Sequence, residues 1–157
     1  MSPRSTVREL TDADLRPLCA RVAPLPLLER YGHTTDRLID TLRAGLASGD
    51  RILVYDAGHG AEGLAWHAVN GTLGVGGYLR LIAVAPRAHN TGAGTTLLNA
   101  FEASVRTHAR HAFLLVSDFN QDARRFYLRH GYQHIGALPE LVLPGVAELI
   151  FWKRLAQ

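Results

Sequence analysis

The chain has 157 residues, 47% hydrophobic and 20% charged, with a formal net charge of +3 and one cysteine, Cys19. This length suits one domain, expected over residues 1–157, and the apolar content excludes extensive disorder. A lone cysteine excludes an intramolecular disulfide. No apolar run approaches about 18 residues, and Met1 to Ser5 lead into polar residues without a signal core, so a cytoplasmic protein with no membrane partner is expected.

Thr6 to Leu10 reads as a weak first strand. Thr11 then caps a helix whose Leu15, Leu18, Cys19 and Val22 share one face, with Asp12 and Asp14 favourable in its first turn. Pro24 and Pro26 end it. Thr34 or Thr35 caps a second helix carrying Leu38, Ile39, Leu42 and Leu46, which stops near Gly49. From Arg51 the period changes to that of strands: Ile52 to Tyr55, Leu64 to Val69 and Tyr78 to Val84 form a meander, separated by Asp56 to Gly60 and Asn70 to Gly77. Leu97, Leu98, Phe101 and Val105 mark a third helix, Ala112 to Ser117 a buried strand, and Asn120 to His130 a fourth helix ended by Gly131. Tyr132 to Leu138 and Ala147 to Leu155 supply two last strands. The expected order is β-α-α-β-β-β-α-β-α-β-β.

The most informative stretch runs from Leu81 to Gly94: a strand, a loop and a helix N-terminus. The first amides of a helix lack internal partners and sit at the positive end of its dipole, so they bind phosphate where no side chain blocks them. Gly92 and Gly94 keep that access open. The dinucleotide fingerprint fits poorly, because Leu97 stands where its third glycine belongs and Gly92 lies far past the strand. A P-loop is excluded, since Gly-Lys followed by Ser or Thr occurs nowhere in the chain. Gly71 to Gly77, between two strands, reads as a flexible hairpin.

Val84-Ala85-Pro86 followed by His89-x-x-Gly92-x-Gly94 resembles the pyrophosphate-binding motif of the GNAT N-acetyltransferases. His89 departs from that family's usual Arg or Gln, and Asn90 from its frequent Gly. Asn120-x-x-Ala123-x-x-x-Tyr127-x-x-x-Gly131-Tyr132 resembles its second signature. Residues 78 to 137 carry the likeness; the first 70 agree only in the order of their elements. The resemblance implies an α/β (α+β) fold, with a mixed, mostly antiparallel sheet, splayed middle strands and about four flanking helices. It also implies acetyl-CoA as acetyl donor. Backbone groups of Ile82, Ala83 and Val84 would hold the pantetheine arm, and His89, Asn90, Thr91, Gly92, Ala93, Gly94 and Thr95 the pyrophosphate.

Acetyl transfer to an amine needs a deprotonated nitrogen, a stabilised oxyanion and a proton for the departing sulfur. By resemblance Tyr127 supplies that proton, and Asn120 contacts the pantetheine or orders the helix start. From the residues alone, Tyr127 is also readable as packing beside Phe126 and Asn120 as an N-cap. No carboxylate lies within Tyr78 to Val84, so the base is either His67 on the preceding strand or water relaying to bulk. His33 and Glu140 are candidates for the substrate mouth, and equally readable as exposed loop residues. No metal is expected.

The expected function is therefore transfer of acetyl to a primary amine of a small molecule or peptide, by direct attack in a ternary complex. The rival is a non-catalytic acyl-CoA-binding module. Arg124, Arg125 and Arg129 read as a solvated helix face, so no nucleic-acid partner is expected. A homodimer stays open.

Overall fold

The computed structural model describes residues 4–156; Met1 to Pro3, part of the polar opening, and Gln157 lie outside them. The described elements are β1 Thr6–Glu9, α1 Asp12–Val22, α2 Pro26–Arg30, α3 Thr35–Ala47, β2 Arg51–Asp56, β3 Ala61–Thr72, β4 Gly76–Val84, α4 Ala93–Arg106, β5 His111–Ser117, α5 Gln121–Arg129, β6 Gln133–Pro139 and β7 Ala147–Arg154. A single 3-10 turn, Pro86–Ala88, joins β4 to α4.

This is the expected order with one addition. Pro26 does not prevent a helix; it opens α2, because proline is pre-organised for the first helical position, where its missing N–H costs nothing. The Gly71 to Gly77 stretch is also tighter than a flexible hairpin. β3 and β4 continue into it, turning at Leu73 and Gly74, both of positive φ. A Cβ on Gly76 would lie 2.5 Å from the His111 carbonyl oxygen, and one on Gly77 2.3 Å from Val105 Cγ2. These glycines let β4 approach β5 and α4 closely.

The seven strands form one sheet in the order β1-β2-β3-β4-β5-β7-β6. Every neighbouring pair is antiparallel except β4 and β5. Side chains alternate between faces. Ile52, Val54 and Leu64 therefore join Leu18, Leu38 and Leu42 in one core beneath α1 and α3, while Tyr55 and Ala65 join Leu97, Leu98 and Phe101 in another beneath α4.

The feature that creates a site lies at Arg80. Trp66 pairs with Leu81 and His67 with Leu79, which leaves Arg80 as the extra residue of a bulge. Parallel pairing of β4 with β5 ends at the same place, at Leu79 and Leu114. A bulge bends the strand that carries it. Beyond it, Leu81 to Val84 stay paired to β3 but part from β5, and a fork opens in the middle of the sheet.

Candidate active site

The fork is lined in three continuous sections. On one side, a cleft of about 650 Å³ runs between the N-terminus of α4 and α5, reaching Ile82 and Val84 on β4. Gly92 caps α4 with φ 85 and no side-chain hydrogen bond, so the amides that follow it face the cleft without a capping group. Asn90 has φ 60. Asparagine tolerates this left-handed conformation better than most residues, which explains how it serves where glycine is frequent. His89 Nε2 donates to the Val84 carbonyl at 2.7 Å, so its imidazole ties the loop back to β4. Arg87, in the turn before it, is ion-paired with buried Glu62 on β3. The hydroxyl of Thr91 donates to Ala88 O at 2.6 Å. Thr95 Oγ1 lies 3.1 Å from His130 Nε2 at the end of α5.

The second section is a throat of about 110 Å³ between the diverging strands, lined by Leu81 and Ile82 of β4, Leu115 and Val116 of β5, and Asn120 and Tyr127. Asn120 Oδ1 caps α5 by accepting from Ala123 N at 3.1 Å, as the helix-start reading expects, and the residue also lines the throat. Tyr127 borders the throat and the larger cleft together. Its ring packs edge-on against Phe126 and Tyr132, 5.1 and 5.6 Å between centroids. Burial pushes its phenol above the ordinary range, so the hydroxyl holds its proton at neutral pH.

The third section opens on the far side of the fork, a pocket of about 210 Å³ bounded by α2, Tyr31 and β7. Glu148 of β7 is buried in it, 6% exposed. Tyr31 donates a hydrogen bond to Glu148 Oε1, and Ser117, its cross-strand partner, donates at 3.2 Å. The two hydroxyls fix the position of the carboxylate. Burial, then the bond to Glu148, raises the Tyr31 phenol. Arg80 enters the same pocket with its Nε bonded to Asp50 Oδ2 at 2.7 Å.

The site thus gathers Ile82, Val84, His89, Asn90, Gly92, Ala93, Gly94, Thr95, Asn120 and Tyr127 around two adjoining sections. Ala83 points away, into the core beneath α1 and α3. His33 lines the third section, with burial and then Arg37 lowering its pKa. Glu140 is exposed and spends its carboxylate on Gly145 N of its own loop, at 2.8 Å. His67 is drawn elsewhere. It is fully buried beneath α4, 3.0 Å from Ser104 Oγ and edge-on to Phe101, and burial lowers its pKa to about 4. Sequence reasoning missed Tyr31, Arg80, Ser117 and Glu148. The available signal was Glu148 itself, a carboxylate inside the apolar run from Ala147 to Trp152.

Among the described residues, no group of three or more metal-ligating side chains is placed to hold a metal ion, and no helix is long and apolar enough to cross a membrane.

The profile of the Acetyltransferase (GNAT) family matches residues 45–132. Among curated proteins, none matches the chain. Solved structures share its fold. Ard1 from Thermoplasma volcanium superposes with a TM-score of 0.80 at 23% identity, covering 98% of this chain and 99% of that one. An acetyltransferase from Thermus thermophilus gives 0.80 at 18% identity, over 99% and 100% of the two chains. An aminoglycoside 6'-N-acetyltransferase complexed with coenzyme A gives 0.80 at 15% identity, over 97% and 98%.

Proposed function

Because the chain belongs to the GNAT acetyltransferase family, we propose that it transfers acetyl from acetyl-CoA to a primary amine of a small molecule or peptide by direct attack within a ternary complex. The observation that supports this reading is the fork at Arg80. It carries a phosphate-type cleft on one side and a pocket with a buried carboxylate on the other, joined by a throat that Tyr127 borders. In this reading donor and acceptor enter from separate sides of the fork, which supports binding both at once.

The residues present fit the donor. The uncapped amides after Gly92 suit a pyrophosphate, and the edge of Arg80 to Val84 that has left β5 offers backbone groups to an amide-bearing arm. In this reading Glu148, held by Tyr31 and Ser117, receives the ammonium and takes its proton, a role that His67 beneath α4 is not placed to fill. The nitrogen lone pair then attacks the thioester carbonyl, the carbon–sulfur bond breaks, and Tyr127 protonates the departing sulfur. Nitrogen loses two protons in all: the one taken by Glu148 passes to bulk, and the one lost as the amide forms replaces the proton that Tyr127 gives to sulfur, so the net change is one amide formed, one thiol released and one proton released from the ammonium. Bound acetyl-CoA supplies the activated acyl group.

The test is a screen of amines, amino acids, aminoglycosides and peptides with acetyl-CoA, following thiol release. The reading predicts at least one acceptor above background hydrolysis and intersecting initial-rate lines. Parallel lines would indicate a covalent acetyl-enzyme instead. Cofactor binding with no acceptor used would leave a binding module.

A further inference from the structure

The strand register carries a row of side chains out of the acceptor pocket. Ser117 lies opposite Glu148, Leu115 opposite Ile150 and Phe113 opposite Trp152. On β6, Leu138 lies opposite Glu148 and Gly136 opposite Ile150. Opposed residues, and residues two apart on one strand, share a face of the sheet. The polar Ser117 and Glu148 pair therefore continues directly into an apolar surface. The alternate residues, Leu114, Val116, Leu149 and Phe151, fill the core on the other face beneath α4.

The exposed face forms a trough of about 440 Å³ lined by Tyr78, Phe113, Leu115, Ile135, Leu138 and Ile150. Ile135 and Leu138 are 53% and 38% exposed, a large apolar area to leave in water. Tyr78 and Leu115 also line the acceptor pocket, so trough and pocket are continuous. The charge at the pocket end is simple. Glu148 is its one carboxylate, and the other fully charged side chain lining it, Arg80, is a cation. Glu148 matches one positive charge there, and with Arg80 already ion-paired to Asp50 the lining holds no second carboxylate for another cation.

We propose that the acceptor is an amphiphilic monoamine: a primary ammonium seated on Glu148, with an apolar body lying along the Leu115 and Ile150 row toward Phe113. At the rise of a strand, two steps of this row reach about 13 Å from Glu148. Polyamines and aminoglycosides, with several cations and little apolar surface, fit this arrangement poorly. The inference rests on the reading that the protein acetylates primary amines.

The experiment measures kcat/KM for straight-chain primary amines from ethylamine to octylamine and for phenethylamine, against spermidine and kanamycin. The expected result is a rise of roughly two- to fourfold per methylene until the trough is filled, with both polycations poorer than hexylamine. Ile135→Asp changes an exposed side chain in the trough, and should flatten that rise in a protein whose circular dichroism is unchanged. A flat or falling series with amines still acetylated would overturn the inference while leaving amine acetylation standing. So would preference for either polycation, or an unaltered slope in the Ile135 variant. Failure of every amine would overturn both.

Discussion

Tyr31 and Glu148 stand 117 positions apart in sequence, yet the Tyr31 phenol donates a hydrogen bond to the Glu148 carboxylate and closes the segment after α2 over β7. A hydrogen bond to a charged group is worth about 1.5–3 kcal/mol, so Tyr31→Phe should lower kcat/KM for the amine roughly tenfold or more. Acetyl-CoA affinity should not change, because Tyr31 borders only the acceptor pocket. Glu148→Gln removes the proton acceptor and should cost more. Steady-state kinetics against both substrates checks this; an equal loss of acetyl-CoA affinity in the Tyr31 variant would contradict it.

The two glycines of the phosphate loop are not equivalent probes. Gly92 has φ 85, so any branched residue there strains the backbone whatever it does to the ligand. At Gly94 an added Cβ would meet only the Phe126 ring, at 3.6 Å. Gly94→Val should therefore stay folded and weaken acetyl-CoA binding by about tenfold or more. Calorimetry with wild-type affinity in that variant would place the cofactor elsewhere.

His67 yields a prediction about stability. Burial lowers its pKa to about 4, from an ordinary value near ~6.5. Between these pH values the unfolded chain binds more protons than the folded one, so the contribution is full above about pH 6.5 and is lost as pH falls toward 4, by up to about 1.4 kcal/mol per unit. Arg8 holds the Asp14 carboxylate low, and the Gly58 amide and then Arg8 do the same for Asp56, so their contributions are lost only at more acid pH, below the ordinary carboxylate pKa. His67→Gln can keep a bond to Ser104 and cannot titrate. Urea unfolding at pH 7 and pH 5 should show a smaller loss in the variant; an equal loss would contradict the assignment.

The cofactor side of the site was legible in the sequence because its parts are local: a strand end, two glycines and a helix start lie within one short stretch. The acceptor side was not. Glu148, Ser117 and Tyr31 meet only through the β5 and β7 register and the fold of α2, and α2 is too short to show a period. His67 illustrates the same limit. Alternation along β3 says that it faces the opposite side from Trp66, but only the placement of the helices tells which face lies beneath α4. Gly76 and Gly77 read as a loop because the reason for them, close approach of β5 and α4, lies more than 25 residues away in the chain.

The most direct test of the account is Tyr127→Phe, which keeps the ring packed among Phe126, Tyr132 and Phe151 and removes only the hydroxyl. If Tyr127 protonates the leaving sulfur, the variant binds acetyl-CoA with wild-type affinity and kcat falls by about 10² to 10⁴, the usual range for a positioned acid. A kcat equal to wild type, under conditions where chemistry limits turnover, would show that Tyr127 only packs the helix and that the throat is not where acetyl changes hands.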